Sequence, residues 1–107
     1  VYSDCKLGEG VSEDDFYNAY KTYAKAAREL GDVAGRKMIL PTSGVPSTWD
    51  CDFVQLVTTE TIADYGKNWT NFWSQATGES MPELKALQDL GGSCENERTY
   101  GIVPVRN

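Results

Sequence analysis

The order of helical and extended patterns constrains the fold of this chain more than any other feature. Residues 14–30 carry apolar side chains at the spacing of one helix face, and Ser12, followed three positions later by an acidic residue, forms a capping box at their start. Residues 62–75 repeat this arrangement after Thr61. A third capping box, opened by Ser80, predicts a shorter helix before the last strand.

Extended segments precede, separate and follow the two main helices. The third of these segments is nearly unbroken apolar sequence from residue 53 to residue 57. A strand with one face in water alternates apolar and polar side chains, so this strand is expected to be covered on both faces. Pro104 cannot donate to a ladder and is expected to place the last strand at an edge. Residues 41–48 have the composition of a loop. The four predicted strands are residues 1–7, 36–40, 52–58 and 99–105.

These elements predict a single α+β domain over residues 1–107. Strand-helix-strand, repeated once, is the ferredoxin-like arrangement β-α-β-β-α-β, in which helices cover one face of a four-stranded antiparallel sheet. The other face must then meet water or another sheet. Because the third strand is so apolar, we expect that face to meet a second copy of the chain, in a homodimer or a higher oligomer.

The aromatic second helix, at residues 68–73, and the element order along nearly the whole chain resemble the dimeric α/β-barrel proteins. This group includes the antibiotic-biosynthesis monooxygenases and their stress-responsive and haem-degrading relatives. The resemblance implies that two sheets pack face to face into a barrel, and that a small ligand lies between the sheet and the helices of each subunit. The chain departs from the haem-binding and His-dependent members because it has no histidine, so no catalytic residue is carried over from them.

Charge and composition exclude several classes of function. Sixteen acidic residues against ten basic ones give a net charge of −6, and no basic stripe is present, so neither nucleic acid nor a membrane surface is an expected partner. The absence of histidine removes the commonest general base and the usual zinc ligand. We expect no metal and no cofactor, and a non-catalytic function is favoured over an enzymatic one because no positioned acid or base stands out.

The three cysteines predict one disulfide and one thiol. In the expected sheet the first and last strands are antiparallel, so Cys5, late in the first, and Cys94, just before the last, meet at one end. We expect the third strand to run parallel to the first, which places Cys51 nearer the opposite end of the sheet. Since bridged Cα atoms lie within about 7 Å, a Cys5–Cys94 disulfide is favoured, with Cys51 left as a thiol or paired between chains.

The cysteines and the first residue also predict where the protein works. The sequence begins at Val1 rather than at a methionine, which we interpret as the removal of an N-terminal segment by a signal peptidase, by another protease or in the design of the expressed chain. Three widely spaced cysteines without a C-x-x-C motif suit one disulfide and a leftover thiol better than a zinc site. We therefore expect a secreted or periplasmic location.

Two functions remain open on the sequence. The first is a non-catalytic exported domain that self-associates through its sheet face. The alternative is a cofactor-free enzyme or small-molecule binder with an aromatic pocket between the second helix and the sheet, for a small apolar or aromatic ligand. The residues expected to line that pocket are Tyr20, Gln55, Trp69 and Trp73. The competing interpretation is that these aromatics fill the core and that Gln55 pairs with backbone.

Two further patterns have simple structural interpretations. Asp50 and Asp52 share one face of a strand start, where a divalent ion would need more ligands than two carboxylates, so a solvated strand end is favoured. Asn68 begins an N-glycosylation sequon, but it lies inside a predicted helix.

Overall fold

Over the residues that the structure describes, the protein is an α+β fold with one four-stranded sheet and three α-helices. The computed structural model describes residues 1–41, 43, 44, 50–101, 103 and 105. The predicted loop at residues 41–48 and the proline at position 104 therefore lie largely outside the described residues. In chain order the elements are β1 (Tyr2–Leu7), α1 (Glu13–Glu29), β2 (Gly35–Ile39), β3 (Phe53–Thr58), α2 (Ile62–Asn68), a π-helical turn (Trp69–Trp73), α3 (Pro82–Asp89) and β4 (Gly92–Arg98).

The sheet has the strand order β2-β3-β1-β4, and every neighbouring pair is antiparallel. This order is compatible with a ferredoxin-like arrangement, although the chain has a π turn and a third helix between β3 and β4. Cys5 in β1 lies opposite Phe53 in β3 and opposite Cys94 in β4. The expectation that the third strand runs parallel to the first is therefore wrong, since two strands paired side by side in this sheet alternate in direction.

The helix starts follow from local hydrogen bonds. The Ser12 hydroxyl accepts from the Asp15 amide at 3.1 Å, and the Thr61 hydroxyl accepts from the Asp64 amide at 3.0 Å, as the capping boxes predict. The prediction of a third capping box at Ser80 is wrong. Helix α3 begins after Met81 without a side-chain cap, and the Ser80 hydroxyl forms a hydrogen bond with the Thr77 hydroxyl instead.

The last strand lies earlier in the chain than predicted. Instead of residues 99–105, β4 comprises Gly92–Arg98, a polar and largely exposed stretch with no apolar alternation to mark it. Gly91 and Gly92 have φ values of 75° and 98°, which let the chain turn directly from α3 into the strand. A Cβ atom on Gly92 would lie 2.5 Å from the Lys6 carbonyl oxygen, so only glycine fits there.

The core lies between the helices and one face of the sheet. Phe53 and Val57 of β3 are buried on that face, whereas the alternate residues Val54 and Leu56 point to the opposite face and are only half-buried. Within the single chain, β3 is thus fully covered on one side only. A central cluster of buried side chains is formed by Tyr23, Ala27, Phe72 and Met81.

None of the helices in the described ranges combines the length and the apolar character needed to cross a membrane.

Candidate functional site

A cavity of about 290 Å³, about half open to solvent, lies between the helices and the covered face of the sheet. Residues from α1, the π turn, α3 and all four strands or their ends contribute to its wall. Its apolar side chains are Phe16, Tyr20, Tyr23, Phe53, Trp73, Leu84 and Leu87, and its other lining residues include Lys6, Arg36, Gln55, Gln88, Ser93 and Cys94. A wider groove of about 520 Å³ between α1 and β2 shares Tyr20 and Arg36 with it, but most of its other lining side chains are exposed.

The π turn positions the aromatic wall. Sequence periodicity predicts one continuous helix over residues 62–75, but the backbone widens after Asn68, and the Ser74 amide bonds the Trp69 carbonyl five residues back at 2.9 Å. As a result Phe72 is buried, Trp73 turns toward the cavity, and Trp69 remains 55% exposed.

A buried ion pair connects Asp32 with Arg36, and Arg36 also lines the cavity. Asp32 Oδ2 accepts hydrogen bonds from Arg36 Nε at 3.0 Å and from Arg36 Nη2 at 2.8 Å. The two side chains are only 2% and 4% exposed. Asp32 Oδ1 is itself occupied, by the Asn68 side-chain amide at 2.7 Å and the Ala34 backbone amide at 3.3 Å. Asp32 is therefore held on both oxygens, and it fixes the orientation of the guanidinium.

The aromatic rings enclose this guanidinium. Its central carbon lies 4.3 Å from the centre of the Trp73 ring and 5.4 Å from that of Tyr23. A cation above an aromatic face is attracted by the ring quadrupole. Burial lowers the pKa of Arg36, but the oxygens of Tyr20, Asp32 and Tyr23 outweigh this effect and raise it above its ordinary value. The group therefore keeps its charge.

Three polar atoms around the cavity have no hydrogen-bond partner. Within the described part of the chain, the buried side-chain atoms without a partner are Arg36 Nη1, the Tyr20 hydroxyl and the Tyr23 hydroxyl. All three belong to residues that line the cavity. Burial raises the pKa of both tyrosines, with Arg36 opposing the rise, so both phenols are protonated at neutral pH. All three atoms are buried and do not reach the open space of the pocket, and the Tyr20 hydroxyl lies beside Arg36 and Gln55, which influence its pKa.

Three of the four residues predicted to line a pocket meet at this cavity, namely Tyr20, Gln55 and Trp73. Trp69 does not line it and instead stacks on the outer side of Trp73, with ring centres 6.5 Å apart. Sequence reasoning missed Arg36. Two features of the sequence could have indicated it. In strand β2 the side chains of Arg36 and Met38 lie on the covered face and that of Lys37 on the open face, and Asp32 lies four residues before Arg36 as a possible ion-pair partner.

The predicted disulfide between Cys5 and Cys94 is confirmed, and Cys51 is a free thiol. Part of the reasoning was wrong, because the start of β3 lies at the same sheet end as the disulfide and the Asp52 amide donates to the Cys5 carbonyl at 2.8 Å. Desolvation and neighbouring carboxylates raise the pKa of the Cys51 thiol, so it remains protonated at neutral pH. Cys94 also lines the cavity.

The remaining candidate residues have structural partners. Asp50 pairs with Lys6 at 3.0 Å, and Asp52 accepts from the Leu7 amide at 2.7 Å. No group of three or more potential metal-ligating side chains is found among the residues that the structure describes. Asn68 is 4% exposed and its side-chain amide donates to Asp32, so in the folded protein this sequon residue belongs to the core.

Comparison of the chain with protein-family models, with curated proteins and with solved structures finds no match.

Proposed function

We propose that the protein binds a small, largely apolar molecule in the cavity between its helices and its sheet, without catalysing a reaction. The observation that carries this proposal is the 290 Å³ cavity itself, which is walled by aromatic and aliphatic side chains. The cavity opens to solvent, so a small molecule can enter it without unfolding of the chain. Small-molecule sites are concave and mostly apolar with a few placed polar groups, and this cavity has that composition.

The volume sets the size of the ligand. A water molecule occupies about 30 Å³ of liquid volume, so a cavity of 290 Å³ corresponds to roughly ten non-hydrogen atoms by this measure. A single aromatic ring with a short substituent meets this limit. Large cofactors such as haem or a dinucleotide exceed it.

Truncation of Trp73 is expected to weaken the binding of a neutral apolar probe of about this size, such as 2-fluoronaphthalene. Trp73 forms part of the cavity wall and packs over Arg36, so Trp73→Ala removes a ligand-facing ring and is expected to weaken probe binding at least tenfold. Probe binding is measured by ¹⁹F NMR titration. The matched control is Trp69→Ala, because Trp69 stacks on the outer side of Trp73 and is 55% exposed.

A second variant tests binding in the same cavity if Trp73→Ala is poorly folded. Leu87→Phe places a larger side chain at the cavity wall and is expected to exclude the probe while retaining the helical circular dichroism of the wild type. Equal probe affinities of the wild type, Trp73→Ala and Leu87→Phe would contradict binding in this cavity. So would the absence of saturable binding to the wild type.

The open face of the sheet supports self-association as a second property. Val54 and Leu56 are half-buried on that face, and Ile39 beside them is 40% exposed. Their neighbours on the same face include Lys37 and Asp4, so apolar and charged positions are mixed. We propose that two copies pack these faces together, as the resemblance to dimeric α/β-barrel proteins implies. A ligand cavity on the opposite, helix-covered face would remain accessible in such a dimer.

A charge at the centre of that face is expected to separate the copies. Leu56 is flanked by Lys37 and Tyr2 across the sheet, and Leu56→Glu would bury a carboxylate in the proposed interface at a prohibitive cost. Sedimentation velocity at high micromolar concentration should show a dimer for the wild type and a monomer for Leu56→Glu. Ile62→Glu, at a 74% exposed position of α2, is the control. A wild type that sediments as a monomer would rule out this interface.

The disulfide supports the proposal that the protein is exported. Disulfides persist in secreted and periplasmic proteins and are rare in reducing compartments. Cys5 and Cys94 are bridged across two adjacent strands, and three alkylatable thiols in freshly isolated protein would count against export.

A further inference from the structure

We propose that the groove between α1 and β2 binds one linear aliphatic chain, such as the alkyl or acyl chain of an amphiphile. This groove is separate from the cavity to which the proposed function assigns a small apolar molecule, although Tyr20 and Arg36 contribute to the walls of both. The groove is therefore a second ligand site, and its occupancy does not depend on the first.

The length of the groove follows from the residues that line it. On α1 they run from Glu13 to Ala24, and eleven residue steps correspond to about 16 Å along a helix. On β2 and just past its end they run from Arg36 to Leu40, and four steps correspond to about 13 Å along a strand. Both walls give a similar length, so the groove follows the two elements and is elongated.

The volume of the groove is small for this length. At about 30 Å³ for each water molecule, 520 Å³ corresponds to about 17 non-hydrogen atoms. Carbon–carbon bonds of about 1.5 Å in a zigzag advance about 1.3 Å each, so an extended chain of about twelve carbon atoms spans the groove. Two such chains side by side would need about 24 atoms, which is more than the volume holds. The groove therefore fits a single extended chain.

The floor of the groove is apolar and partly exposed. Tyr17 and Leu40, which are 48% and 43% exposed, are two of the large apolar side chains that the folded chain leaves in contact with water, and both line the groove. The apolar lining residues together are Tyr17, Tyr20, Ala24, Met38 and Leu40. An aliphatic chain would cover these side chains, and removing apolar surface from water is the dominant favourable contribution to such binding.

The rim of the groove carries charges of both signs. Glu13 and Asp14 lie at the start of α1, and Lys21 and Lys37 lie on the two facing walls. All four side chains are exposed, and Lys21 Nζ lies 4.5 Å from the centre of the Tyr17 ring. Because two carboxylates and two ammonium groups share the rim, it does not select the charge of a head group. The aliphatic chain is therefore the part of the ligand that the groove recognises.

A series of n-alkyl maltosides tests this site, because its members share a neutral head group and differ in chain length. Isothermal titration calorimetry on the full chain, below the concentration at which each compound forms micelles, should show an affinity that rises about three- to fourfold per methylene group from hexyl to decyl. The rise should level off beyond dodecyl, where the chain exceeds the groove. Decyl sulfate and decyltrimethylammonium should bind within about fivefold of decyl maltoside, since exposed charge pairs contribute little.

Two variants assign the binding to the groove. Ala24→Phe fills its middle and is expected to weaken decyl maltoside at least about tenfold, because several methylene groups lose their contacts. Asn18→Phe is the matched control, since it places the same ring at an exposed position of α1 outside the groove. Met38→Gln keeps the length of the side chain but makes the floor polar, so it should also weaken binding. In ¹⁵N-labelled wild-type protein, the amide shifts caused by decyl maltoside should concentrate in residues 13–24 and 36–40.

Further outcomes separate this site from the cavity. Leu87→Phe should leave the affinity for decyl maltoside unchanged, and Ala24→Phe should leave the affinity for 2-fluoronaphthalene unchanged. An affinity that does not depend on chain length, or that is equal in the wild type and Ala24→Phe, would overturn the proposal. Loss of decyl maltoside binding in Leu87→Phe alone would place the chain in the cavity and would overturn it too. Shifts of the groove amides that depend on protein concentration without any maltoside would show that a second copy covers the groove instead, with the same consequence.

Discussion

Replacing both Cys5 and Cys94 by alanine is expected to lower the free energy of unfolding by about 2–5 kcal/mol, the range seen when native disulfides are removed from small domains. The two cysteines are 89 residues apart in the sequence, so the bridge closes most of the chain into one loop. On the chain-entropy model a loop of this length corresponds to about 4–5 kcal/mol. At roughly 4–8 °C per kcal/mol for a domain of this size, the melting temperature should fall by about 10 °C or more.

The comparison variant is Cys51→Ala. Cys51 is a free, partly buried thiol, so its replacement should change the melting temperature much less than loss of the bridge. Peptide mapping without reductant should yield one linked pair, Cys5 with Cys94. A linked peptide that contains Cys51, or equal destabilisation by the single and double replacements, would contradict the assignment.

Asp32→Ala is expected to destabilise the fold by about 3–5 kcal/mol, since removing one partner of a buried ion pair leaves the other charge uncompensated. Arg36 would remain buried with its side chain 4% exposed, and the side-chain amide of Asn68 would lose its acceptor at 2.7 Å. Urea unfolding followed by circular dichroism measures the change. The slope with denaturant should stay constant if only the native state is affected.

The double replacement Asp32→Ala with Arg36→Met tests whether the loss of stability comes from the unpaired charge of Arg36 or from the loss of polar contacts in general. Because a buried ion pair exchanged for apolar residues is often neutral, the double variant should be more stable than Asp32→Ala alone. If the free energy of unfolding falls as much or more in the double variant, an unpaired charge on Arg36 is not the cause of the destabilisation. Lys85→Ala, which removes an exposed i,i+4 pair with Asp89, should have little effect.

The sequence by itself determined the features that depend on neighbours along the chain. The starts of α1 and α2 are set by hydroxyls that accept from amides three residues later, and both partners can be found in a short stretch of sequence. The α+β class and the antiparallel sheet followed from the order of such elements. The Cys5–Cys94 pairing was also predicted, because the first and last strands of such a sheet are neighbours.

Only the tertiary structure decided the features that depend on distant contacts. β4 is a polar stretch whose place is set by its pairing with β1 and by the disulfide, so it carries no apolar pattern of its own. The π turn directs Trp73 toward the cavity and leaves Trp69 exposed, whereas α-helical periodicity predicts both side chains on one helix face. Arg36 becomes a cavity residue only because Asp32, Asn68 and Trp73 converge on it from three elements or their ends. An arginine in an isolated strand would be assigned to solvent, since its burial is favourable only when a fixed carboxylate and aromatic faces replace water around its charge.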